Sequence, residues 1–240
     1  MSSYKTQLRS RETVAEGTMA FKFAKPDGFV HLPGQALTLT LINPPETDSE
    51  GNARMFTIAS APHEPELMIA TRMRNTAFKR VLRDLPLGAD LLLEGPEGEM
   101  VLDAAEQRPL ALLAGGIGIT PFLAMTRHAL EIGLKRPIYL FYANRSPEDS
   151  AFLGELSEMG GVNPNFHLIA TMSNTANAAT PWRGETGYIN PAMLARHLPD
   201  LLAPIYCFAG PPAMTLAMGE MLDTMGVAAA DMHFEAFDGY

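Results

Sequence analysis

The sequence predicts two successive domains, an antiparallel β-barrel and then an α/β domain built on a parallel sheet. Three observations carry this. The first half holds short apolar stretches at intervals (Met19–Phe23, Leu37–Leu41, Arg54–Ser60, Glu66–Arg74 and Asp90–Glu94) with turn formers between them, the spacing of a small barrel. The second half alternates apolar runs with helix-compatible stretches, as a doubly wound sheet does. Between the two, Asp103–Arg108 is polar, so the expected division is 1–105 and 106–240.

The bulk properties narrow the class. Of the 240 residues 47% are hydrophobic, enough for a sizeable core. The formal charge of −9 argues against nucleic acid as a partner. No apolar run is long enough to span a bilayer, and Met1–Ser10 is polar, without the apolar centre of a signal peptide. A soluble, cytoplasmic protein with no membrane partner is expected. Cys207 is the only cysteine, which excludes an internal disulfide and a four-cysteine iron–sulfur cluster within this chain. The six histidines show no paired metal-binding spacing, so no metal is assigned.

In the first half, Met19-Ala20-Phe21-Lys22-Phe23 partly alternates, and Lys25-Pro26-Asp27-Gly28 and Leu32-Pro33-Gly34-Gln35 read as turns. Leu37–Leu41 alternates cleanly, and the polar, turn-rich segment Asn43–Asn52 reads as an exposed loop. Along the next strand Arg54, Phe56 and Ile58 face one way and Met55, Thr57 and Ala59 the other. Its guanidinium suits a phosphate, its aromatic ring a planar cofactor and its hydroxyl a ring nitrogen; Phe56 is equally a core residue. Asn75 or Thr76 caps a short helix whose apolar side carries Phe78, Val81 and Leu82. Arg72, Arg74, Lys79, Arg80 and Arg83 make this the most basic stretch of an acidic chain. It is either a solvated face or a phosphate cradle with a docking patch for an acidic partner.

The second half opens on a buried strand, Leu110–Ala114, which runs into Gly115-Gly116-Ile117-Gly118-Ile119-Thr120-Pro121. Gly116 and Gly118 admit close backbone approach, Thr120 offers a hydroxyl, and Pro121 suits a first helical turn. The loop is either a pyrophosphate or nicotinamide site at the carboxyl end of a strand, or a tight turn that binds nothing. Further strands are expected at Ile138–Tyr142, Phe166–Thr171 and Ile205–Ala209. Helices are expected at Pro121–Ile132, Ser150–Met159, Pro191–Leu198 and Ala213–Met225. Arg145, just past a strand end, is either a contact for a 2′-phosphate or a surface arginine.

Taken in order, Pro33-Gly34-Gln35, Arg54-x-Phe56-Thr57, Thr76 at a helix start, Gly95-Pro96-x-Gly98, Gly115-Gly116-x-Gly118-x-Thr120-Pro121 and Ala209-Gly210-Pro211-Pro212-x-Met214 resemble the ferredoxin–NADP reductase family across essentially the whole chain. The resemblance implies an FAD-binding barrel followed by an NAD(P)-binding α/β domain. It implies that Arg54 binds FAD phosphate, that Phe56 packs on the isoalloxazine and that Thr57 bonds the flavin near N5. Met55 lies in the same segment, and Arg72, Thr76 and Ala77 would hold the pyrophosphate. Gly115, Gly116, Gly118, Thr120, Pro121, Gly210, Pro211 and Pro212 would surround the nicotinamide. The family usually has Tyr and Ser where this chain has Phe56 and Thr57, and often Cys where it has Ala209. The tail resembles family tails that fold over the flavin, with Phe237 or Tyr240 as its cover and Glu235 as a polar group near the ring. Thr57, Glu235 and Tyr240 are thus the expected catalytic positions. NADPH or NADH would supply the hydride, and an external one-electron acceptor (ferredoxin, flavodoxin, a haem protein or an oxygenase component) would take the electrons. A free-flavin reductase and a non-catalytic flavin-binding sensor or electron-transfer subunit are the competing readings.

Overall fold

In the computed structural model, residues 2–175 and 179–237 are described. Residues 2–97 form an antiparallel sheet of β1 (Ser2–Ala15), β2 (Thr18–Ala24), β3 (Ala36–Leu41), β4 (Ala53–Thr57), β5 (Glu66–Arg72) and β6 (Asp90–Glu97), with α1 (Ala77–Asp84) between the last two. The hydrogen-bonded order is β4-β3-β6-β1-β2-β5. The long β1 serves two partners: Ser2–Gln7 pairs with β6, and Leu8–Ala15 pairs with β2 across two register shifts. The sheet curls until its outer strands meet, where the Ala59 amide donates to the Met68 carbonyl at 2.7 Å. That contact makes a sheet of six strands into a barrel, with Leu37, Leu39, Phe21 and Leu91 inside. On α1, Phe78, Val81 and Leu82 are spaced for one helical face and are buried against this interior.

The second sheet is parallel throughout. It comprises β7 (Leu110–Gly115), β8 (Ile138–Asn144), β9 (Phe166–Met172), β10 (Glu185–Thr186), β11 (Ile205–Gly210) and β12 (Met232–Ala236) in the order β10-β9-β8-β7-β11-β12. The helices α2 (Thr120–Glu131), α3 (Leu153–Val162), α4 (Pro191–His197) and α5 (Pro212–Thr224) connect the strands. Every residue of central β7 is buried, which is why it reads as an unbroken apolar run rather than an alternating one. Two strands were not expected from sequence. The pairing of β10 spans two residues, and β12 extends the edge beside β11 where a folded-back tail was anticipated.

The two sheets share a core. Ala20, Ala59 and Met68 of the barrel half pack with Leu112, Phe122 and Met125 of the other. Gly34, at φ +108°, sits at this seam, where a β-carbon would run into the Met100 carbonyl and lie 2.6 Å from the Met125 methyl. Arg127 on α2 crosses the seam, pairing with Glu155 in its own half at 2.6 Å and with Glu64 of the barrel half at 3.2 Å. No described helix is long and apolar enough to cross a membrane.

Candidate functional site

An anion cradle forms where the end of β4 meets the start of α1. Thr76 caps α1, its hydroxyl accepting from the Lys79 amide at 3.4 Å. The next amide, Ala77 N–H, points away from the helix and donates at 3.1 Å to Asp48 Oδ2. Asp48 Oδ1 accepts from Arg54 Nη2 at the same distance. The guanidinium of Arg54 lies 5.3 Å from the Phe78 ring, which keeps it aimed at this point. Arg54, Thr76 and Ala77 are therefore brought together as the sequence suggests. A carboxylate of the chain itself already sits in the cradle, spanning its two donors as a phosphate would, so the residues present fit the diphosphate of FAD. Burial works against the charge on Asp48, but hydrogen bonds from the Glu50 and Ala77 amides and from Arg54 hold its carboxyl below the usual range.

Phe56 and Met55 part company as strand alternation requires. The half-buried Phe56 ring leans on Phe78, with centroids 5.8 Å apart, and packs against the barrel interior, while Met55 is 62% exposed on the other side. Thr57 is buried and pairs with Ala36 of β3. A β-carbon added at Gly98 would lie 3.7 Å from the Glu235 carboxylate of β12 and 3.9 Å from the Ala36 amide, so Glu235 reaches from the second sheet to the Gly98 turn of the barrel half. Burial pushes the Glu235 carboxyl up to about 7.

The glycine loops meet from the other side. β7 and β11 are parallel neighbours in which Ala114 pairs with Ala209, so Gly115 and Gly210 leave the sheet together. Gly118 packs flat on the Ala209 carbonyl and the Gly210 amide, and Gly115 packs on Met214. The Thr120 hydroxyl donates to the Ile117 carbonyl at 3.1 Å, and Pro121 occupies the first turn of α2. Pro211 and Pro212 open α5, and the Phe237 amide donates to the Gly210 carbonyl at 3.0 Å, which brings the tail to this loop. The glycines are needed for tight packing, and their loop lies at the carboxyl end of the parallel sheet. Tyr240 lies outside the described residues.

Arg72 and Arg145 stand elsewhere. Asp149 takes Arg72 at 3.3 Å and Arg145 at 3.1 Å, so the two arginines share one carboxylate across the seam. Arg72, expected at the pyrophosphate, is thus engaged by Asp149 of the second half. In the basic run around α1, Arg80 is paired with Glu46 at 2.6 Å and Arg83 with Asp84 at 2.8 Å. Asp48 and Asp149 were missed from sequence. The acids at every second position, Glu46, Asp48 and Glu50, just before Arg54, were the only signal for the first. Cys207 is buried, and its burial pushes the thiol up to about 12. A cavity of about 590 Å³ along β9, lined by Tyr139, His167, Glu185 and His197, holds none of these residues.

Comparison with known proteins matches this arrangement. Residues 112–219 match the family model described as the oxidoreductase NAD-binding domain. The chain is 31% identical over 232 residues to the glycine betaine monooxygenase reductase subunit of Chromohalobacter salexigens, covering 95% of this chain and 61% of that protein. It therefore spans about three-fifths of the length of that relative. Among solved structures, the ferredoxin reductase in carbazole 1,9a-dioxygenase superposes with a TM-score of 0.81 at 21% identity, covering 98% of this chain and 69% of that one. A ferredoxin NADP+ reductase from Neisseria gonorrhoeae with bound FAD and NADP gives 0.82 at 16% identity, covering 98% of each chain. The chain thus joins a barrel carrying an anion cradle to a parallel-sheet half that matches an oxidoreductase NAD-binding domain, and it shares the two-domain fold of these reductase structures.

Proposed function

We propose that this chain is an FAD-dependent reductase that accepts a hydride from NADPH or NADH and passes single electrons to an external carrier. A reductase partner of the oxygenase-component kind is favoured among the acceptors, since the similar Chromohalobacter protein is named as a monooxygenase reductase subunit. A ferredoxin, flavodoxin or haem protein would satisfy the same chemistry, and a cytoplasmic setting would supply the reduced nucleotide. The observation that supports the reading is an anion cradle of Arg54 and the Ala77 amide in the barrel half together with the paired Gly115 and Gly210 loops at the carboxyl end of the parallel sheet.

Each residue has a part in this reading. Arg54 and the Ala77 amide hold the diphosphate, and Thr76 keeps the helix start in place for them. Phe56 supports the flavin from the barrel side, with its ring stiffened by Phe78. When bound, FAD supplies the conversion of a hydride pair into single electrons, which no side chain offers. The Gly115–Thr120 and Gly210–Pro212 loops, with the exposed Met55, position the nicotinamide. Thr57 presents a hydroxyl at the seam, and Glu235 holds a proton on its carboxyl near neutral pH. The shared core around Met100 and Met125 excludes water. Arg145, already on Asp149, would meet a 2′-phosphate only at the cost of that pair.

The test is the visible spectrum of the purified protein before and after anaerobic NADPH or NADH. A flavin spectrum that bleaches supports the hydride step, and the faster nucleotide names the donor. A flavin that neither nucleotide bleaches overturns the reductase reading in favour of a sensor or subunit. Protein that loses its colour on gel filtration, yet oxidises NAD(P)H when flavin is added back, makes flavin a substrate.

A further inference from the structure

We propose that Asp48 sets the flavin affinity of this chain: the acidic loop occupies the cradle in flavin-free protein, and FAD loads by displacing it. This rests on the flavoprotein reading above and goes further by assigning a role to residues outside the family motifs. Asp48 does not touch the cradle in passing. Its two oxygens take its two donors separately, Arg54 Nη2 and Ala77 N–H, each at 3.1 Å. The loop is held on both sides of it. Glu50 lies 2.9 Å from the same guanidinium, and Glu46 accepts from Arg80 at 2.9 and 2.6 Å. Arg54 Nη1 is bound as well, to the carbonyls of Ala53 at 2.7 Å and Glu50 at 2.9 Å.

Charge makes coexistence unfavourable. Arg54 is paired with Asp48 and Glu50 and Arg80 with Glu46, and Lys79 and Arg74 lie close by. A diphosphate that entered with the loop in place would meet the Asp48 carboxylate at contact distance and find both donors already taken. With the loop withdrawn, the cations and a free helix amide remain. The loop is built to withdraw. Its base is pinned where the Leu41 amide donates to the Asn52 carbonyl at 2.9 Å and the Asn52 side chain donates to the Leu41 carbonyl at 2.7 Å. Between Asn43 and Glu50 no side chain is buried, and the glycine at 51 turns the chain at φ +75°. What holds the segment is ion pairs at a partly solvated surface, each of which is worth little and is replaceable by a phosphate.

The test measures binding of FAD and of riboflavin, which lacks the diphosphate, to the flavin-stripped protein by quenching of flavin fluorescence. Asp48→Asn is expected to tighten FAD about tenfold and slow its release, with riboflavin unchanged. Glu50→Gln, on an exposed side chain that folding does not need, is expected to move FAD the same way by about threefold. Equal or weaker FAD binding in both variants would overturn the proposal, as would a gain that riboflavin shares. Wild-type protein that binds neither flavin would instead sink the flavoprotein reading itself.

Discussion

At the scale of single residues, the chemistry is decided by who reaches each charged group first. Arg54 and Arg72 both precede the same helix and both read as phosphate ligands, yet one lines the cradle and the other crosses to Asp149, 77 positions away. Arg54→Ala is expected to weaken FAD binding by about a hundredfold, the value of a charge-assisted pair, while Arg145→Ala leaves it unmoved; flavin fluorescence titration checks both. Glu235 gives a pH signature. The folded chain keeps this proton to about 7, whereas an ordinary glutamate releases it near 4.5, so folding takes up a proton between those values and stability falls as pH rises through the window. Glu235→Gln should therefore raise the Tm by about 2–4 °C near pH 8 and by much less near pH 5. An equal effect at both pH values would show the carboxyl to be ordinary. Cys207, whose thiol is pushed up to about 12, should give no reaction with a thiol reagent until denaturant is added.

At the scale of elements, strands and helices came through the sequence where periodicity is local. The alternation of Leu37–Leu41, the buried run of β7 and the apolar side of α1 each predicted the element that formed. β12 did not, because a five-residue strand at a sheet edge has half-exposed side chains and no period to betray it. The glycine loop shows how an element can satisfy two demands at once. Gly118 has no room for a side chain, because the β11 backbone lies against it. Gly118→Ala is expected to cost about 1–3 kcal/mol by forcing β7 and β11 apart at their carboxyl ends. Urea denaturation measures this, and a change below about 0.5 kcal/mol would show that the loop yields instead of clashing.

At the scale of the whole molecule, the two sheets behave as one body because they share a core and an ion-pair strut. The Arg127 side chain is 17% exposed and is held between Glu64 and Glu155, so its removal leaves two carboxylates short of a partner at the seam. Arg127→Met should lower stability by about 1–3 kcal/mol and broaden or split the unfolding transition. A single, equally sharp transition at unchanged midpoint would show that the apolar core alone couples the halves.

The sequence alone determined the two kinds of sheet, their order, the glycine loops and the capped start of α1, because each rests on neighbours within a few positions whose period or turn chemistry is legible along the chain. Only the tertiary structure decided that Asp48 reaches the Ala77 amide, that Asp149 captures Arg72, and that Glu235 reaches the Gly98 turn. Those are meetings of groups distant in sequence. Coulomb attraction has no period along the chain, so which cation finds which anion is settled when packing brings them within reach.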